Sequence, residues 1–190
     1  TTEIYTLSLH DALPIYADVS LYQSSYSATE RTFQLITQVA GRAGRADKTG
    51  EIILQTYVPR HYIYKMAAVY DYAGFYKKEA NLRETTAYPP FAKIIRLLFT
   101  SLDEQLVKDA CKVYYDNVKQ LAKEYSDEFI YLGVMKSPVG RIQGKFRYQI
   151  LMRLKLEKSS EIIDKLYSLA DKLKTKGVTC FVEINPQALN

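Results

Sequence analysis

The chain has 190 residues, 47% of them apolar and 25% charged, enough to bury a core as one ordinary domain or two small ones. No run approaches the roughly 18 consecutive apolar residues of a membrane span, so no membrane span is expected, and no charged-then-apolar secretory leader is visible; the two cysteines, without C-x-x-C spacing, suggest a reducing, cytoplasmic setting. The net charge of +5 falls entirely in residues 91–190, where seventeen Lys/Arg stand against twelve Asp/Glu, while residues 1–90 carry nine of each.

In chain order, the first fifteen residues, "TTEIYTLSLHDALPI", show neither a helical nor a strand period. They read either as a non-native leader of the kind produced by translated sequencing adapters, or as a genuine, divergent strand. Organised sequence begins near Tyr16. Ser27 followed by Glu30 forms a capping box, and Phe33, Ile36, Thr37 and Ala40 then recur at helical spacing. Gly41 and Gly44 should end or loosen that helix. Glu51–Val58 is rich in β-branched residues after Gly50 and predicts a strand. Pro59–Thr86 predicts one helix, with Ile63, Met66, Ala67, Tyr70, Ala73 and Phe75 on or near one face. Tyr88-Pro89-Pro90-Phe91 stops it and marks a boundary.

A regular alternation follows. Strands are expected over Lys93–Thr100, Phe129–Val134, Gly144–Leu156 and Val178–Ile184. Helices are expected over Asp103–Tyr125, with Leu106, Ala110, Val113, Val118 and Leu121 inward, and over Ser159–Lys176, stopped by Gly177. The order βαββαβ is the split βαβ, or ferredoxin-like, arrangement, an α+β domain.

Two stretches carry chemistry. In "QVAGRAGR" (Gln38–Arg45), Gly41 and Gly44 let backbone approach a ligand closely, and Arg42 and Arg45 can project from one short turn. Two converging guanidinium groups suit a triphosphate, whose γ-phosphate gains charge during transfer. A solvated basic loop at a helix end is the plainer reading. The second stretch is Lys136–Lys155, with six basic residues and no acidic one. Along it a two-residue period places Ile142, Phe146, Tyr148, Ile150 and Met152 on one face. Arg141, Lys145, Arg147 and Arg153, with Lys155, fall on or near the other. A strand with one apolar and one basic face can pack on helices and offer cations to a nucleic-acid backbone; a merely solvated face is the alternative. Cys111 and Cys180 lack metal-ligand spacing and read as buried thiols of a reducing compartment, with no metal site implied. His61 reads as a helix-start or packing residue.

"ERTFQLITQVAGRAGR", "GEIILQTYVPRH" and "Y..AGFYKKEANLRETTAYPPF" together closely resemble the bacterial primosomal replication-restart helicase family (PriA), from about Asp18 onward and most strongly through Phe91. "Q-x-x-G-R-x-G-R" is the last signature motif of superfamily-two helicases. The resemblance implies the end of a second RecA-like helicase lobe (16–60), a connecting helix (61–90) and a C-terminal DNA-binding domain (91–190), after the suspect residues 1–15. It implies an ATP-dependent DNA helicase that binds forked or single-stranded DNA and restarts stalled replication by loading the primosome. ATP with Mg²⁺ would be the cofactor, and zinc would sit in an upstream module for which this chain has no ligands. Gln38, Arg42 and Arg45 match nucleotide-contacting positions, with the arginines as fingers; Gly41 and Gly44 belong to the same turn, and Asp18 matches an acidic residue lining the lobe interface. Single-stranded DNA-binding protein and primosome proteins are the implied partners. The chain has no G-x-x-x-x-G-K-[ST] loop and no D-E-x-H-like motif, so ATP hydrolysis by this stretch alone is not expected. The runner-up reading is a non-catalytic ferredoxin-like nucleic-acid-binding module.

Overall fold

A computed structural model describes residues 4–5, 17–43 and 53–188. The chain forms two units that divide between Asn81 and Leu82, ahead of the proline pair. In the first unit, β1 (Ile4–Tyr5) pairs antiparallel with β2 (Leu54–Gln55), so two residues of the suspect leader lie in a strand pair. The helices are α1 (Ala17–Leu21), α2 (Ala28–Ala43), α3 (Tyr62–Ala68) and α4 (Tyr72–Thr85). Helix α2 begins directly after Ser27, and it runs through Gly41 instead of stopping there. Phe33 and Ile36 from its buried stripe join Leu54, Ile63, Tyr64, Ala67 and Phe75 in a core, with the Phe33 and Phe75 rings stacked at 4.3 Å.

The single helix expected over Pro59–Thr86 is two. Tyr70 takes a positive φ of 52°, and Asp71 restarts the helix by accepting the Gly74 backbone N–H at 2.8 Å. An aspartate at this position competes with helix continuation and favours a cap, an effect stronger than the periodicity running across it. His61 caps α3 through Nδ1, which accepts the Ile63 N–H, as its position suggests.

Two buried carboxylates tie the first unit together. Glu79 of α4 accepts hydrogen bonds from the Thr29 and Tyr62 hydroxyls at 2.7 and 2.8 Å. Asp18 accepts from the Thr56 and Tyr64 hydroxyls at 2.6 and 2.8 Å and from the Tyr57 N–H at 2.7 Å. Burial alone would push the Asp18 carboxyl up, but these three donors outweigh it and hold the group below its ordinary value. A depressed folded pKa gives stability that is fully present above the unfolded value near 3.8 and is lost as pH falls through the folded one. Asp18→Asn is therefore expected to cost the first unit about 2 kcal/mol at neutral pH. The difference from wild type should shrink as acid protonates the wild-type group. Urea unfolding at pH 7 and at about pH 3 checks both statements; an equal loss at the two pH values would contradict them.

The second unit realises the βαββαβ order. Its elements are β3 (Lys93–Ser101), α5 (Glu104–Glu124), β4 (Phe129–Ile142), β5 (Lys145–Leu154), α6 (Ser159–Lys172) and β6 (Thr179–Ile184). The sheet order is β4-β5-β3-β6, with every pair antiparallel. Asp103 caps α5 by accepting the Leu106 N–H at 3.0 Å. The buried positions of α5 are Val107, Ala110, Cys111, Tyr114 and Val118; Val113, expected inward, is half exposed because it lies a third of a turn from that stripe. Val107, Cys111, Tyr114 and Val118, with Ile162 and Leu166 of α6, pack on Ile95, Leu97, Phe99, Ile150, Met152 and Leu154 of the sheet. Burial pushes the Cys111 and Cys180 thiols up to about 12, which keeps both protonated at neutral pH.

Candidate nucleic-acid interface

The side chains of β5 alternate as a strand must. Phe146, Tyr148, Ile150, Met152 and Leu154 meet the helices, leaving Lys145, Arg147, Gln149, Leu151 and Arg153 on the opposite face. The reversal between β4 and β5 then corrects two assignments. Gln143 and Gly144, with φ of 48° and 79°, make the turn, so Ile142 pairs with Lys145 and Arg141 with Phe146. Paired residues share a face. Arg141 therefore lies on the helix side, with its guanidinium over the Phe146 ring at 4.7 Å, and Ile142 lies on the other. Carrying one parity through the turn puts both on the wrong face.

The opposite face is not a solvated row of cations. Arg147 is only 7% exposed; its Nη1 donates to the Val139 carbonyl at 3.2 Å, near Arg96 and Glu183. Burial, and then the charge of Arg96, pulls the Arg147 pKa below its usual value, against the opposing pull of Glu183. Arg96, itself buried, is paired with Glu183. Arg153 donates to the Thr86 carbonyl and the Tyr88 hydroxyl, both at 2.9 Å, and stacks on the Tyr88 ring at 4.3 Å. Long cationic side chains can bury their stems and find acceptors, which strand alternation alone does not reveal. Of the four expected DNA contacts, Lys145 and Arg141 remain exposed, whereas Arg147 and Arg153 hold the domain together.

On the helix side the cations gather instead. Glu104, at the start of α5, accepts the Tyr148 hydroxyl at 3.0 Å and lies 3.4 Å from Lys108 and 3.5 Å from Lys136. The Tyr148 hydrogen bond and the two lysines hold its carboxyl below the ordinary value. Both lysines are about half exposed, so the cluster presents positive charge outward.

In the first unit, Gln38 and Gly41 are exposed in the last two turns of α2, and Arg42 lies in the final one. Gly44 and Arg45 fall outside the described residues. Among the described residues nothing lies within 4 Å of a Cβ built on Gly41, so none of them demands glycine there, although glycine costs a helix about 1 kcal/mol against alanine. Asp18 is engaged by three donors within the unit. Among the described residues no cluster of three or more His, Cys, Asp or Glu could hold a metal ion, and no helix is long and apolar enough to cross a membrane.

Residues 84–187 match the family described as "Primosomal protein N C-terminal domain". The chain is 34% identical over 174 residues to "Replication restart protein PriA" of Bacillus subtilis, covering 90% of this chain and 21% of that protein. It is 32% identical over 171 residues to the protein of the same name from Borreliella burgdorferi, covering 90% and 25%. Against the Chlamydia pneumoniae protein the identity is 36% over 145 residues, covering 75% and 19%. The chain thus spans a quarter or less of the length of these curated relatives. With over half of its residues matching, and with the βαββαβ sheet in place beneath the match, the chain belongs to the primosomal protein N C-terminal domain family.

Proposed function

We propose that this chain works in the restart of DNA replication, as the portion of an ATP-dependent superfamily-two helicase that couples the end of the second motor lobe to a DNA-binding C-terminal domain. The observation that carries this reading is the presence in one chain of the family domain and the "QVAGRAGR" turn, the latter in its "ERTFQL" context. The ligands are forked or single-stranded DNA, and the partners are single-stranded DNA-binding protein and primosome proteins.

The nucleotide would be ATP with Mg²⁺, bound mainly by parts of the enzyme that carry the phosphate loop. Exposed Gln38 and the open space over Gly41 fit a role in approaching it from the second lobe. ATP hydrolysis supplies the free energy for unwinding. The part played by this chain is to position cationic charge: Arg42 and Arg45 offset the negative charge that grows on the phosphates in the transition state.

The DNA-binding part of the reading has a direct test. The 190-residue chain is titrated onto fluorescent forked DNA at several salt concentrations. Binding with little sequence preference is expected, because phosphate contacts position a protein without reading bases. The logarithm of affinity should fall linearly with the logarithm of salt, by about 0.9 per phosphate contacted. An absence of binding even at low salt would remove the DNA-binding function from this chain.

A further inference from the structure

On α5 the residues Lys108, Lys112, Lys119 and Lys123 fall within about 60° of one another around the helix axis, at 3.6 residues per turn. Their stripe is centred about a third of a turn away from the buried stripe Val107, Cys111, Tyr114 and Val118, so it points off the sheet. Lys112, Lys119 and Lys123 are exposed, and none has a carboxylate within 4 Å among the described residues. The acids of α5 border the stripe without pairing with these three: Glu104 is engaged by Tyr148, Asp109 accepts from Gln105 at 2.9 Å, and Asp116 lies one helical turn from Lys112 and from Lys119. At its N-terminal end the stripe meets the hairpin. Lys108 and Lys136 share Glu104, and Arg141 lies further along the same side of the sheet over Phe146.

We infer that the α5 lysine stripe, continued by Lys136 and Arg141, is a track for the sugar-phosphate backbone of DNA. This rests on the DNA-binding reading above and assigns its surface. Charge complementarity selects the occupant. From Lys108 to Lys123 the stripe is about 22 Å long at 1.5 Å per residue. One strand of duplex DNA carries about six phosphates over that length. Four lysines in a row of one sign suit a polymer of evenly spaced negative charge, whereas a single small anion would need a concave, convergent site. Lys112, Lys119 and Lys123, which have no carboxylate within 4 Å among the described residues, also keep part of their self-repulsion, which a bound polyanion relieves.

The test compares three forms of the 190-residue chain on forked DNA across a salt series: wild type, Lys112→Glu/Lys119→Glu/Lys123→Glu, and Lys172→Glu/Lys174→Glu/Lys176→Glu. The α5 variant should bind at least about tenfold more weakly, with a salt slope lower by about two to three, since each lost phosphate contact removes about 0.9. The variant altered after α6 should lose less in affinity and keep the wild-type slope. Circular dichroism monitors the fold, and a Lys→Gln triple at the three α5 positions, which adds no repulsion to Asp109 and Asp116, should show the same direction of effect. If the α5 variants bind DNA with wild-type affinity and slope, the track is wrong and DNA lies elsewhere on the chain. If the wild type itself binds no DNA, the underlying reading fails with it. If the α5 variants lose polyglutamate but not DNA, the stripe serves an acidic protein surface and the inference is overturned.

Discussion

Arg45→Ala, introduced into the complete helicase, should lower ATP turnover by about 10³-fold or more while leaving affinity for forked DNA close to wild type. The magnitude is that of an arginine finger, whose guanidinium is worth most when the transferring phosphoryl group is at its most charged. A thousandfold loss corresponds to about 4 kcal/mol of transition-state stabilisation. The prediction rests on the sequence spacing of Arg42 and Arg45 around Gly44, the first of these arginines lying in the final turn of α2. Two residues acting on one phosphate group do not add independently, so Arg42→Ala/Arg45→Ala should be little worse than the more damaging single change. Arg60→Ala, which alters an exposed arginine outside the turn, should leave turnover unchanged. Steady-state ATPase rates with and without forked DNA decide the matter. Full DNA-stimulated turnover by the Arg45→Ala enzyme would mean that the turn is a solvated basic loop.

The second large effect is one of stability. Glu183→Leu should destabilise the second unit by about 3 kcal/mol, the lower end of the range for breaking a buried ion pair, because Glu183 is itself about one-third exposed. Arg96→Met should cost less. The asymmetry comes from what each change leaves behind. Removing Glu183 leaves the buried Arg96 without its carboxylate and removes the negative charge that opposes the effect of Arg96 on the buried Arg147. Removing Arg96 leaves a carboxylate that can still reach solvent and still has Arg147 nearby. Urea midpoints and slopes for the two variants measure the difference. Equal losses would show that the pair acts through packing alone.

The βαββαβ order was legible because its cues are local and mutually consistent. Asp103 announces α5, and Asn185-Pro186 closes β6, where Asn185 Oδ1 accepts the Ile94 N–H at 2.9 Å; Gly177 is expected to stop the last helix, but α6 already ends at Lys172. Where sequence reasoning failed, the deciding interaction was distant or depended on counting through a turn. Nothing near Arg147 in the chain indicates that Val139, Arg96 and Glu183 will enclose it. The faces of Arg141 and Ile142 depended on the two residues of the Gln143–Gly144 turn. The lysine stripe is present in the spacing of 108, 112, 119 and 123, but acids stand between these lysines in the sequence, whereas Lys136–Lys155 holds six basic residues and no acid, so linear charge singles out the strand and not the helix. Asp18 and Glu79 gave no signal that they would be buried, because their donors come from far along the chain.

The sheet order also dictates how the second unit must assemble in time. β3 is central in the sheet but first in the unit, and both of its neighbours come much later in the chain, from Ser101 opposite Phe146 to Ile95 opposite Ile184. Only β4 and β5 are joined by a tight turn and can pair within microseconds. Closing the long loops that bring β3 between β5 and β6 loses chain entropy before the core contacts form. Such non-local pairing slows folding of mixed α/β domains well below that of helical bundles. Docking of β3, which covers Phe99 and its apolar neighbours, is thus the pairing that carries the largest loop-closure cost, and the folding rate of the unit is expected to follow it.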